Sequence, residues 1–227
     1  MTMLLDNPIW SALSGPHAAL SLGDERARRY DPDFTSLAAV APGADLSALD
    51  AIASLGTIGI CTTSEPHIPV GWQVLEQFAV AQMVCDKLID RELPSYVILA
   101  DADVPEMTEL VKLTRPGPFA RRTREFGTFI GIRDQGRLVA MAGERMKIDG
   151  HDEVSAVCTH PDYQGRGYAR GLVSAVAREI VNRGRKPFLH VRSANLAGIR
   201  SYQSVGFALR TEFCFTVLKH LGPVAKP

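Results

Sequence analysis

Between Ala169 and Ile180 the apolar side chains fall at Ala169, Leu172, Val173, Val176, Ala177 and Ile180, the spacing of a helix with one buried face. Gly184 follows where such a helix would stop. Just upstream the period changes to two. Over Glu153 to Thr159 (EVSAVCT), Val154, Ala156 and Cys158 alternate with Glu153, Ser155, Val157 and Thr159, which predicts a strand with two unlike faces. Phe129 to Arg133 and Leu138 to Met146 read as a hairpin joined by Asp134-Gln135-Gly136. Tyr96 to Ala100 (YVILA) predicts a buried strand, and Asp103 is placed to cap a helix with Pro105 and Glu106 in its first turn. Arg115 to Phe119 (RPGPF) must be a loop. Phe188 to Val191 predicts a further strand, Leu196 to Ser204 a short helix after Asn195, and Phe213 to Leu218 a last strand.

The first ninety residues are less legible. Asp45 to Leu55 has helical spacing behind a capping aspartate. Trp72 to Ile89 (WQVLEQFAVAQMVCDKLI) predicts a longer helix, with Val74, Leu75, Phe78, Val80, Ala81, Val84, Cys85 and Leu88 forming a broad apolar stripe. Trp72 and Met83 are read as packing residues. The order of elements from Pro94 onward implies an α/β protein built on a mixed sheet. The chain therefore divides into residues 1–93, of unclear role, and an α/β unit over 94–221.

Bulk properties remove several function classes. The 227 residues, 46% of them hydrophobic, suffice for a buried core. Lys plus Arg and Asp plus Glu are 25 each, so the basic excess of a dedicated nucleic-acid binder is missing. Arg121, Arg122 and Arg124 are read as a solvated face or as part of a site for an acidic acceptor. Cys61, Cys85, Cys158 and Cys214 are scattered without metal-ligand spacing, so no metal is expected, and free thiols suit a reducing cytoplasm. Met1 to Trp10 has no basic leader pattern and no apolar run reaches about 18 residues, so no membrane role is expected.

Chemistry enters between the 153–159 strand and the following helix, at Pro161-Asp162-Tyr163-Gln164-Gly165-Arg166-Gly167-Tyr168-Ala169. A two-glycine turn running into a helix N-terminus leaves backbone N–H groups free and adds the positive end of the helix dipole, so a phosphate is the expected guest. Gly165 and Gly167 let backbone approach an anion, and Arg166 and Arg170 can add charge. This is not a Walker A loop, since no Gly-Lys-Ser/Thr follows. Nor is it a dinucleotide fingerprint, since Arg170 stands at the third glycine position.

Gln164-x-x-Gly167-x-Ala169 resembles the Q/R-x-x-G-x-G/A signature of the GNAT acetyltransferase superfamily, and Asn195, Tyr202 and Gly206-Phe207 resemble its second half. AVCTHP and PFLHV are similar to the FR47-like branch in particular. The resemblance covers roughly Pro94 to Lys219 and is densest over Glu153 to Phe207. It implies the GNAT fold: a central, mostly antiparallel twisted sheet, splayed at the cofactor strand and flanked by helices, here with a helix-containing N-terminal region. Residues 1–93 match no motif. A degenerate half of the fold, a lid and an oligomer surface all remain open for them.

The resemblance also implies an activity, transfer of acetyl from acetyl-CoA to a primary amine, with no metal. Backbone groups of Val157, Cys158 and Thr159 would hold the pantetheine arm. The amides of Gly165, Arg166, Gly167, Tyr168, Ala169 and Arg170 would hold the pyrophosphate, with Gln164 in the same turn. Asn195 and Tyr202 would line the thioester end, Tyr202 as the acid for the departing thiol. Glu153 and His190 compete as the base, Glu153 being the first choice. Glycine N-acyltransferases place a glutamate at the position of Glu153, and ribosomal-protein N-terminal acetyltransferases carry an acidic base near that of His190. Alternation places Cys158 on the face away from Glu153, as a buried, inert thiol, and His160 and Asp162 are read as turn residues. A bulkier acyl donor, an amino-acid acceptor and a non-catalytic CoA-binding sensor or scaffold are the rival readings. The expected partner is a small-molecule or peptide amine, with no nucleic acid and no membrane; a homodimer stays open.

Overall fold

The computed structural model describes residues 3–89, 91–92 and 94–222, so Leu93, at the boundary drawn above, lies outside them. The strands are β1 (Ser21–Gly23), β2 (Ala27–Tyr30), β3 (Ala38–Val40), β4 (Ile58–Thr62), β5 (Trp72–Val84), β6 (Val97–Leu99), β7 (Phe129–Asp134), β8 (Arg137–Ile148), β9 (His151–Thr159), β10 (Lys186–Arg192) and β11 (Ala208–His220). The α-helices are α1 (Met3–Asp6), α2 (Pro8–Ser14), α3 (Val104–Thr114), α4 (Tyr168–Asn182) and α5 (Leu196–Gln203).

Eight strands form one sheet in the order β4-β11-β5-β10-β9-β8-β7-β6, and β1-β2-β3 form a small second sheet. In the large sheet the described strands β9 and β10 pair in parallel, and the other neighbours are antiparallel. This is the mixed sheet expected from the order of elements, with the mostly antiparallel arrangement that the GNAT resemblance implies. The β7–β8 turn places Gln135 at φ 47° and Gly136 at φ 83°, the paired left-handed residues of a type I′ hairpin.

α4 obeys its periodicity. Leu172, Val173, Val176, Ala177 and Ile180 are buried against β8, β9 and β10, and each such side chain contributes about 1.5–3 kcal/mol over its exposed state. Gly184 ends the helix at φ 73°, with its N–H bonded to Val181 O and the Arg185 N–H to Ile180 O, a Schellman closure that favours glycine.

Three expectations fail. Trp72–Val84 is not a helix but the strand β5, paired through its length with β11 and, near its end, with β10. Buried over Val80 to Met83, it loses the clean alternation of a strand, and its dense apolar residues then mimic a helical stripe. Asp45 does cap, accepting from Ser47 N at 2.8 Å, but Leu46–Leu55 winds as 3₁₀ turns rather than an α-helix. The strand near residue 98 spans only Val97–Leu99 at the sheet edge, where Val97 and Ile98 are exposed and Leu99 alone is buried. β4 and β5, both from residues 1–93, therefore belong to the same sheet as the 94–221 unit.

Candidate active site

The site arises where the parallel pair opens. β9 and β10 are in register from His151 with Lys186 to Val154 with Leu189. Beyond that point β10 continues along β5, through His190 with Gln82 to Arg192 with Val80, while β9 stays with β8. Ser155 to Thr159 is thereby left with an unpaired edge toward β10. Ala156 sits at φ 51°, and the β8–β9 register slips between Ser155 and Cys158, a bulge that inserts one residue.

The bulge also corrects the face assignment. Val154 packs in the cluster under α4, whereas Cys158 joins Leu99, Met107 and Leu110 under α3. Val154 and Cys158 therefore do not share a face, because Ala156 breaks the period of two. Burial pushes the Cys158 thiol up to about 12, which keeps it protonated and unreactive. His160 caps the next turn, its Nδ1 accepting from the Asp162 amide at 3.3 Å.

The turn after β9 delivers Gly165 at φ 76° and Gly167 at φ 78°, the latter as the residue before α4. The first intrahelical bond runs from Gly171 N to Gly167 O at 3.0 Å, leaving the amides of Tyr168, Ala169 and Arg170 without a helical acceptor. No side chain caps this end. Gln164, Gly165, Arg166 and Arg170 are exposed, and Arg166 lies over the Tyr163 ring at 4.6 Å. Gly167, Tyr168 and Ala169 are half-buried. On β9 the Thr159 hydroxyl is buried without a hydrogen-bond partner. A free strand edge, an orphaned hydroxyl and an uncapped helix N-terminus fit the arm and pyrophosphate of a CoA thioester.

Two expected thioester-end residues lie on α5. Asn195 is its N-cap, with Oδ1 accepting from Gly198 N at 2.9 Å. Tyr202 is buried in the cluster under α4, and its hydroxyl has no hydrogen bond to a described residue. Burial, then the neighbouring Cys158, push its phenol up to about 12.

The two candidate bases are in contact. Glu153 Oε1 accepts from His190 Nδ1 at 2.8 Å. Arg145 grips the same carboxylate with both arms, Nε to Oε2 at 2.8 Å and Nη2 to Oε1 at 2.7 Å. Glu153 is fully buried. Burial alone would raise its pKa, but Arg145's charge and hydrogen bonds, together with His190, outweigh that and hold it at about 2. On the other side of the ring, His190 Nε2 meets Gln82 Nε2 at 3.1 Å. Gln82 is oriented by Arg210 donating to its Oε1 and by its own donation to Leu5 O. The Gln82 amide thus donates to His190 Nε2, and the ring proton sits on Nδ1 against Glu153. Sequence reasoning missed Arg145 and Gln82, although a charged or amide residue inside an apolar strand is the available signal.

A cavity of about 540 Å³ opens beside this chain of contacts, lined by His190, Arg145, Phe78, Phe215, Arg115 and Lys112 among others. Glu153 does not reach it. Arg121 and Arg122 lie elsewhere, paired with Asp33 and Glu125. No helix among the described residues is long and apolar enough to cross a membrane.

Comparisons with known proteins bear on the fold and the family. The FR47-like protein family profile matches residues 129–216, from β7 into β11. The structure of a GNAT-family protein from Novosphingobium aromaticivorans is 39% identical, with a TM-score of 0.88, covering 95% of this chain and 98% of that one. The N-alpha-acetyltransferase RimI of Mycobacterium tuberculosis is 37% identical over 101 residues, which span 40% of this chain and 61% of that protein, less than two-thirds of its length. A GCN5-related N-acetyltransferase from Kribbella flavida, at 15% identity and a TM-score of 0.61 over 94% of this chain and 96% of that one, shares the fold. With its split parallel pair, uncapped α4 and near full-length relative, this chain belongs to the GNAT superfamily of acyltransferases, in the FR47-like branch.

Proposed function

We propose that the protein is an acetyl-CoA-dependent N-acetyltransferase acting on a primary amine. The observation that carries this reading is the opened β9–β10 pair, with the free edge of Ser155 to Thr159 leading to the uncapped N-terminus of α4. Backbone of Val157 and Thr159 holds the arm, and the amides from Gly165 to Arg170 hold the pyrophosphate. When bound, acetyl-CoA supplies an acyl thioester to an attacking nitrogen.

The chain's own groups manage two protons while a C–N bond forms and a C–S bond breaks. His190 takes the proton of the attacking ammonium at Nε2, which requires substrate or a relaying water to displace the single Gln82 contact. Glu153, too acidic and too enclosed to take that proton itself, orients the imidazole through Nδ1. Tyr202 stays protonated through the working pH range and gives its hydroxyl proton to the leaving sulfur. Purified protein should bind acetyl-CoA in a calorimeter and release free thiol from it when an amine panel is added. Absence of acetyl-CoA binding would remove the reading.

A further inference from the structure

The cavity beside His190 also carries information about the acceptor. Its charged lining is Lys112, Arg115, Arg145 and Arg192 against Glu76. Three of these cations already have partners. Arg145 is bound by Glu153, Arg192 by Glu76 at 2.8 Å, and Lys112 by Glu109 at 2.7 Å. Arg115 has no hydrogen bond or ion pair from its side chain to a described residue. One positive charge on the wall is therefore unbalanced. Apart from His190 and Cys61 the rest of the lining is apolar: Phe78 and Phe215 lie 5.2 Å apart between ring centres, with Val80, Val217 and Met146 also on the wall.

Arg115 occupies an unexpected place. It closes α3 at φ 48°, ψ 56°, the left-handed position where glycine is the comfortable residue. A glycine would suit the backbone better and lose only the guanidinium. The lone unpaired cation, set at an apolar cavity that contains the proton acceptor, matches a ligand with one carboxylate, an apolar body and an amine.

We propose that the acceptor is a small amino-carboxylate with an apolar or aromatic body, an apolar amino acid being the simplest case, and that Arg115 binds its carboxylate. This rests on the acetyl-transfer reading and names the substrate class for it. A guanidinium–carboxylate contact of this kind is worth roughly tenfold or more in affinity.

The test pairs each of several apolar amino acids with its C-terminal amide as acceptor, in wild type, Arg115→Gly and Arg115→Lys. Wild type should favour the acid over the amide in kcat/KM, mainly through KM, and Arg115→Gly should shrink that ratio by about tenfold. Arg115→Lys should retain part of it. The glycine variant suits the backbone, so its melting temperature should equal or exceed that of wild type. An arginine serving only the helix end would instead leave the ratio unchanged, and that result overturns the proposal. A second arm measures binding of N-acetyl-phenylalanine and its amide by calorimetry, without any donor. Preference for the acid that Arg115→Gly abolishes supports the proposal, and equal binding overturns it. Failure to bind acetyl-CoA would bear on the acetyl-transfer reading alone.

Discussion

Glu153 and His190, two residues that appear in the sequence as alternatives for one role, form a single hydrogen-bonded pair at 2.8 Å across the β9–β10 register. Their strands are parallel neighbours there, with Glu153 opposite Phe188, so a glutamate and a histidine 37 positions apart in sequence meet in one place. Arg145 binds the far side of the carboxylate, and Gln82 touches the far side of the ring. The result is a chain of four side chains from β8, β9, β10 and β5. Of the four, His190 and Arg145 line the cavity.

Substituting the two members separately distinguishes their roles. His190→Gln should lower turnover by roughly 10²-fold or more and abolish the acidic limb of the pH–rate profile. Glu153→Gln should also lower turnover, but the limb should survive because the imidazole remains. The glutamine leaves Arg145 buried without its counter-charge, so it should also cost about 3–5 kcal/mol of stability. Acetyl-CoA affinity should change little in either. If the limb instead disappears with Glu153→Gln and persists in His190→Gln, the base is Glu153.

Gly167→Val addresses the anion site. A Cβ at this position would meet Arg170 Nη2 at 3.3 Å, and a β-branched residue at φ 78° is strained besides. The expected result is loss of most acetyl-CoA affinity with an intact far-ultraviolet circular dichroism spectrum. Affinity equal to wild type by titration calorimetry would mean that the turn before α4 does not hold the phosphates.

The legible part of this molecule was its local part. The turn at Gly165 and Gly167, the apolar stripe of α4 and its Gly184 stop are each written in fewer than twenty consecutive residues. What the chain hides depends on contacts between distant segments. β5 does not read as a strand because Val80 to Met83 are all buried, and burial of consecutive residues erases the period of two. The bulge at Ala156 cannot be seen from EVSAVCT, since its cause is an irregular match to β8. Arg145 and Gln82 acquire meaning only when four strands converge, and Arg115 only when its loop meets the cavity wall.

Tyr202→Phe isolates one hydroxyl. The ring packs in the α4 cluster, 6.5 Å between centres from Phe207, so the phenylalanine should fold and melt as wild type does. With the phenol held near 12, the tyrosine remains a proton donor over the whole neutral range. Turnover should fall by roughly 10²-fold under conditions where the chemical step limits the rate, with KM for acetyl-CoA little changed. Full activity would assign Tyr202 to packing.

Acid stability should decline in two stages, set by two buried groups. His17 stacks on Phe126 and holds the Tyr30 hydroxyl at 2.9 Å from Nδ1. Burial, and after it the charge of Lys147, lower its pKa from 6.5 to about 4. As pH falls, the unfolded chain takes this proton first. The stability that neutral His17 provides is complete above pH 6.5 and drains away toward pH 4. Glu153 is lowered from 4.5 to about 2, so its contribution is complete above pH 4.5 and is lost between there and pH 2. A displacement of that size corresponds to on the order of 3 kcal/mol. Both groups act in the same direction in adjoining windows. The urea midpoint should therefore fall first between about pH 6.5 and 4, then again below about 4.5. His17→Gln keeps a polar side chain without a titrating ring, so it should flatten the upper stage and leave the lower one. A midpoint that stays level from pH 7 to 5 in wild type, or an upper stage that persists in His17→Gln, would show that His17 does not control this part of the profile.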